Sequence, residues 1–138
     1  MKILELLTPK REIGNIGERA AAKLLRRSGY RILERNYVAL GYEIDIIARD
    51  RDHTVFCEVK TRTIGKENAK EPRPASSVTP EKQKKILSVA SYYNTVNNLT
   101  RKMRFDVIEI WLDEDKIVKK ESHLVGAFNY DTAHTHKR

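Results

Sequence analysis

The sequence has a single cysteine, Cys57, so no disulfide can form within the chain, and a reducing compartment is the simpler expectation. Cys57 lies among Val55, Phe56 and Val59, a setting that predicts a buried, inert thiol. Long apolar runs are missing too. The stretch from Met1 to Leu7 is broken by Lys2 and Glu5, too short and too acidic for a signal peptide or a membrane span. A cytoplasmic protein with no membrane partner is therefore expected. Internal repeats and domain boundaries are also absent. With 138 residues, 40% of them hydrophobic, the chain reads as one domain with a packed core, about 11–128, and a frayed tail over 129–138. Acids are the scarcer charge: 19 Asp and Glu against 27 Lys and Arg leave a net +8. Such a surplus favours a polyanionic partner through long-range attraction and counterion release, although it also serves solubility.

What is present is an alternation of helical and strand-like segments. Ile13, Ile16, Ala20 and Leu24 recur at helical spacing and predict a helix from Arg11 that Gly29 ends. Strand-like runs follow at Tyr30–Tyr37, Glu43–Ala48 and Thr54–Arg62, the last two joined by the polar stretch Arg49–His53 as a hairpin loop. From Thr63 to Val78 the chain has Gly65, Pro72, Pro74 and several charges but no periodicity, and reads as a functional or disordered loop. Thr79 followed by Pro80 marks a helix start, with Ile86, Val89, Ala90 and Tyr93 on the buried side to about Asn94. Strands over Met103–Trp111 and Ile117–Val125 complete the order. A strand–helix–strand crossover from Thr54–Arg62 to Met103–Trp111 makes those strands parallel, in a mixed sheet with helices packed on it.

Side chains alternate across a strand, so Glu43, Asp45 and Ile47 should share one face, as should Phe56, Glu58, Lys60 and Arg62. If Ile47 pairs with Phe56, Asp45 faces Glu58 and Glu43 faces Lys60; a one-residue slip would scatter these charges. Carboxylates directly across a ladder repel unless a cation lies between them. One or two carboxylates with water and substrate phosphate is a common way to hold Mg2+. Lys60 can orient a water or offset phosphate charge. The same alternation also describes an ordinary solvated strand face. Glu18 borders the apolar side of the first helix near Ala21, Ala22 and Leu25, where it can join the site from above or remain a surface acid beside Arg19.

Lys82, Lys84 and Lys85 occupy the first turns of the second helix, where the helix dipole disfavours cations unless an anion binds. Gln83 can reach that anion or a water on a metal, and the competing reading is a solvated lysine cluster beside Glu81. Asp106 reads as a buried hydrogen-bonded acid or an edge residue, and Trp111 as core or rim packing. The pair His134 and His136 lacks further ligands.

Taken together, Gly17-Glu18, Gly29-Tyr30, Arg35-Asn36, Glu43-Ile44-Asp45, Phe56-Cys57-Glu58-Val59-Lys60-Thr61-Arg62, Lys82-Gln83, Arg104-Phe105-Asp106 and Ala127-Phe128 occur in an order that resembles the YraN-like family of uncharacterised bacterial proteins. That family is similar to archaeal Holliday junction resolvases and belongs to the PD-(D/E)XK nuclease superfamily. The resemblance spans about Gly14 to Phe128. It implies a restriction-endonuclease-like α/β core, a central mixed β-sheet flanked by α-helices. By matching positions it implies Asp45, Glu58 and Lys60 as the metal and catalytic set, Glu18 as a helix-borne acid and metal ligand, and Gln83 as an accessory residue. Where the family usually reads Gly-Glu-Ile-Asp, this chain has Tyr42 before Glu43, with the glycine at Gly41.

The expected activity is that of a Mg2+- or Mn2+-dependent nuclease acting on DNA, with branched or otherwise non-B-form structures as candidate substrates. Lys82, Lys84, Lys85 and Arg62 would contact nucleic acid. A nucleic-acid-binding module without cleavage and a protein-interaction adaptor on the same fold are the competing expectations. Related resolvases cut two strands symmetrically, which leaves a homodimer open.

Overall fold

The computed structural model describes residues 9–65 and 78–129. Its elements run α1 (Pro9–Arg27), β1 (Arg31–Ala39), β2 (Tyr42–Arg49), β3 (His53–Thr63), α2 (Pro80–Val96), β4 (Lys102–Leu112) and β5 (Val118–Phe128). The strands form one sheet in the order β1-β2-β3-β4-β5. β1–β2, β2–β3 and β4–β5 are antiparallel, while β3 and β4 are parallel, as the crossover through α2 requires. A five-stranded mixed sheet flanked by two helices is the restriction-endonuclease-like arrangement that the resemblance implies. Most of the Thr63–Val78 loop and the His134–His136 pair lie outside the described residues.

Two apolar clusters sandwich the sheet because β3 alternates. Val55 and Cys57 pack with Ala21, Ala22 and Leu25 of α1, whereas Phe56 packs with Ile86, Val89, Ala90 and Tyr93 of α2. Cys57 is 1% exposed, and burial pushes its thiol pKa well above the usual range, so it is packing material. The N-cap of α2 forms as expected: Thr79 Oγ1 accepts from the Lys82 N–H at 3.2 Å, with Pro80 in the first turn.

α1 turns a different set of residues inward from the one its periodicity predicts. Gly17, Ala21, Ala22 and Leu25 are buried, while Ile13, Ile16, Ala20 and Leu24 are partly buried around them. Small residues let the helix lie close to β3: a Cβ on Gly17 would sit 1.8 Å from Thr61 Oγ1. This approach fixes the height of the next residue, Glu18, above the sheet. Gly17→Ala should therefore cost about 1–3 kcal/mol through overpacking, read by urea denaturation, and Thr61→Gly in the same chain should recover much of it.

Across β4 and β5 lies a buried polar hub around Asp106, which is fully buried and resolves as a hydrogen-bonded acid. Arg104 donates to both its oxygens (Nε to Oδ1, 3.0 Å; Nη2 to Oδ2, 2.8 Å), and the Gly126 N–H donates to Oδ1 at 2.9 Å. His123 Nε2 lies 2.7 Å from Oδ2. Arg104 extends the hub to Asp50 in the β2–β3 loop (3.1 Å) and to the Tyr30 hydroxyl (2.6 Å). Burial pushes the Asp106 carboxyl up, but the bonds from His123, Arg104 and Gly126 outweigh it and hold the pKa below its ordinary value. A carboxylate with a lowered folded pKa contributes stability above its unfolded pKa, lost as pH falls through the folded one. Asp106→Ala removes the acceptor shared by Arg104, His123 and the Gly126 N–H, leaving Arg104 with Asp50 and Tyr30, and should cost about 1–3 kcal/mol at neutral pH, with a smaller difference from wild type in acid, as denaturation at both pH values would reveal.

Candidate active site

β2 and β3 pair only near their shared loop. Arg49↔Thr54, Ala48↔Val55, Ile47↔Phe56 and Ile46↔Cys57 are in register, and there the ladder stops. Past that point β2 continues beside β1, while β3 continues beside β4. The strands thus part as a fork at Asp45 and Glu58. The Ile47–Phe56 register is the expected one, but the two pairs expected beyond it, Asp45 with Glu58 and Glu43 with Lys60, do not form as ladder pairs. Instead the Asp45 side chain reaches across, and its Oδ2 accepts the Val59 N–H at 2.8 Å. The carboxylate takes the place of a neighbouring strand.

The expected common face of Glu43, Asp45 and Ile47 also needs correction. Ile44 and Ile47 belong to the α2-side cluster, and Ile46 and Ala48 to the α1-side cluster, so strict alternation breaks at Asp45. On β1, between the residues paired with Ile46 and Ile44, Asn36 takes a left-handed backbone conformation, φ 52°. Asn tolerates that region better than most residues, and the local twist lets β2 change its inward face at Asp45.

Four acids share this region. Burial is the largest influence on Asp45, followed by the Glu58 charge. Glu18 and Glu43 add to both, the Val59 N–H opposes them, and the pKa is pushed up to about 7. Glu58 is raised by burial, while Lys60 and Lys82 pull it down and Glu43 pushes it up. Lys60 Nζ lies 3.6 Å from Glu58 Oε1. Glu18 is raised by burial, lowered by Arg11, raised by Glu43, lowered by Arg35 and raised by Glu58. Tyr42 feels burial first, then Glu58 and Asp45, and its hydroxyl is pushed up to about 12, so it remains protonated near neutrality.

The sequence-predicted residues are thus partly gathered. Asp45 feels the charges of Glu58 and Glu18, Glu18 feels Glu58, and Glu58 feels Lys60 and Lys82. Gln83 is buried on the adjoining helix, its Nε2 donating to the Val78 carbonyl at 2.9 Å, so it tethers the end of the long loop. Lys84 and Lys85 are exposed on α2. Arg62 is ion-paired with the buried Glu109 and lies 5.7 Å from the centre of the Trp111 ring, which Lys120 approaches to 5.8 Å. Its charge is matched inside the sheet face. Arg11 and Arg35 belong to the region but escaped selection from sequence, while Glu43 and Tyr42 were read beside Asp45 without being given a site role. For Glu43 a signal existed, its two-residue spacing from Asp45. The two arginines come from α1 and β1, and no local pattern links them to the fork.

Among the described residues, no three histidine, cysteine or acidic side chains gather as a metal cage. Two partly buried acids, with Glu58 raising the proton affinity of Asp45, are nevertheless a donor set that a divalent cation suits, with water and phosphate completing its shell. Asp45 and Glu58 are the residues that would hold it, and Glu18 stands at the edge.

The helix-flanked mixed sheet and its acidic fork define a chain of the restriction-endonuclease-like fold class. Residues 17–110 match the description "Uncharacterised protein family UPF0102", and the chain belongs to that family. It is 44% identical over 119 residues to a UPF0102 protein of Clostridioides difficile, covering 86% of this chain and 97% of the relative. A UPF0102 protein of Moorella thermoacetica is 43% identical over 123 residues, covering 86% and 97%. One from Caldanaerobacter subterraneus is 38% identical over 121 residues, covering 86% and 96%. No helix among the described residues is long and apolar enough to cross a membrane.

The raised Asp45 pKa has a consequence for stability. An unfolded aspartate titrates near 3.9, the folded one at about 7, so the folded state holds the extra proton between those values. Stability from this group is fully present below the lower value and lost as pH rises through the upper. Asp45→Asn keeps an oxygen for the Val59 N–H without the charge. In metal-free buffer it should melt a few degrees above wild type near pH 8 and level with it near pH 4. An equal gap at both pH values would contradict the coupling.

Proposed function

We propose that this chain is a metal-dependent nuclease that hydrolyses DNA phosphodiester bonds, with the fork between β2 and β3 as its centre. One observation supports this above the rest: where the ladder ends, Asp45 and Glu58 lie in each other's field, with Lys60 Nζ 3.6 Å from Glu58 Oε1. Such a group of charges is costly to bury without a ligand that answers it. Mg2+ or Mn2+, when bound, would supply polarisation of the phosphate and acidification of water.

The chain's own residues have separable tasks. The Val59 N–H fixes Asp45 Oδ2, so the carboxylate is held in place before any ligand arrives. Glu58 lies between the pull of Lys60 and Lys82 and the push of Glu43, which keeps its charge responsive to a cation. Lys60 is placed to hydrogen-bond a phosphate oxygen or an attacking water and to offset charge as the phosphate is attacked. Lys82, with Lys84 and Lys85 on the exposed side of α2, gives the backbone of DNA a cationic border. Gln83, by holding Val78, positions the end of the long loop beside that border.

A second reading, nucleic-acid binding without cleavage, is favoured by the absence of a third acid in ligand geometry among the described residues. The two readings separate in one assay. Incubated with linear, nicked and four-way-junction DNA, wild type should cut at least one substrate with Mg2+ or Mn2+ and none with chelator. Asp45→Ala and Glu58→Ala should each lower the rate at least a hundredfold while binding persists. Equal cutting by the variants, or intact DNA throughout, would contradict the nuclease reading.

A further inference from the structure

The hairpin joining β1 to β2 ends in an unusual turn. Ala39 pairs with Tyr42, so Leu40 and Gly41 form a two-residue loop, and both have positive φ, 53° and 74°. Such loops favour Asn-Gly or Asp-Gly, because a left-handed backbone crowds the Cβ of other residues. Here the first position is leucine, 64% exposed, and Val38 two residues earlier is equally exposed. Ala39 between them packs on the α2-side cluster, so Val38 and Leu40 project away from it. A strained backbone thus presents two apolar side chains to solvent, where a polar residue would fit the turn better and hydrate better. Strain of this kind at an exposed tip points to a role in contact.

The location indicates the partner. β2 begins at Tyr42, directly after the tip, and Asp45 lies three residues along it, about 10 Å of extended strand. That is the span of about three stacked base pairs at about 3.4 Å each. Tyr42, next to the turn, lies in the field of Asp45 and Glu58 and so connects tip and fork. Cations lie near the acids, Lys60 Nζ being 3.6 Å from Glu58 Oε1 and Lys82, Lys84 and Lys85 exposed on α2. A net charge of +8 favours a polyanion over a second basic copy.

We infer that Val38 and Leu40 form a wedge that enters DNA where base stacking is already interrupted, at a nick or a branch point, and sets the strand over the fork. Insertion into continuous duplex must break a base step, whereas an interrupted step has less stacking to lose. The wedge therefore discriminates by DNA structure and leaves sequence unread. This rests on the nuclease reading for the strand's destination, but the contact itself needs neither metal nor cleavage.

Leu40→Asn tests it in an informative direction, since asparagine suits the turn and should raise the melting temperature. Binding is measured by fluorescence anisotropy in chelator, on labelled intact, nicked and four-way-junction duplexes, with 2-aminopurine beside the nick. Wild type and Leu40→Met should prefer interrupted over intact duplex about tenfold and brighten the 2-aminopurine. Leu40→Asn and Val38→Thr should lose most of that preference and brightening. An unchanged preference in a folded Leu40→Asn would overturn the wedge, as would a wild-type dimer that this variant dissociates without altering DNA preference. Because cleavage is scored separately with metal, cutting with no effect of Leu40→Asn would sink the wedge alone. Loss of preference in a protein that never cuts would sink the nuclease reading alone.

Discussion

The ladder between β2 and β3 ends after Ile46 and Cys57, and a carboxylate does there what the next stretch of strand would have done. Backbone N–H groups inside a protein need an acceptor. Val59 finds one in Asp45, and that bond holds the acid in a partly buried place, near Glu58, which it would otherwise leave for water. The fork, the mutual repulsion of its acids and the placement of Lys60 all follow from this substitution of side chain for backbone. The arrangement weakens the fold as its carboxyls ionise, and protonation of Asp45, or in the proposed function a bound cation, relieves it.

The rest of the fold keeps the fork open. α1 approaches β3 closely because Gly17 has no side chain to keep Thr61 away, and α2 covers the opposite face with Ile86, Val89 and Tyr93. The Asp106 hub joins β4, β5, Tyr30 and the β2–β3 loop through Arg104, and so fixes the closed end of the hairpin whose other end parts. Arg62 and Glu109 neutralise each other beside Trp111, leaving the exposed lysines of α2 as the more accessible cationic surface.

Much of this scaffold was legible in the residues. Period-two alternation located β2 and β3, the match of Ile47 with Phe56 selected the right register, and Thr79-Pro80 marked the start of α2. Local pattern could not reveal where the ladder would stop. At that point Val59 bonds to a side chain fourteen residues earlier, and Asn36 on the neighbouring β1 takes a left-handed backbone. Gly17 looked like a helix interior glycine until Thr61 was placed beneath it. Arg62 looked like a phosphate contact because its partner, Glu109, is forty-seven residues away. Arg11 reaches the region through the packing of α1 over the sheet, and Arg35 through the pairing of β1 with β2. The family resemblance singled out the acids in sequence, and the geometry that brings them near one another is tertiary.

The central claim is that Asp45 and Glu58 make a cation site whose occupancy relieves their repulsion. Isothermal titration of Mn2+ into wild type, Asp45→Asn and Glu58→Gln tests it without any nucleic acid. The account predicts a saturable site in wild type that weakens at least tenfold in either variant, with protons released on binding near neutral pH because Asp45 gives one up. No heat of binding in wild type, or the same affinity in all three proteins, would contradict it.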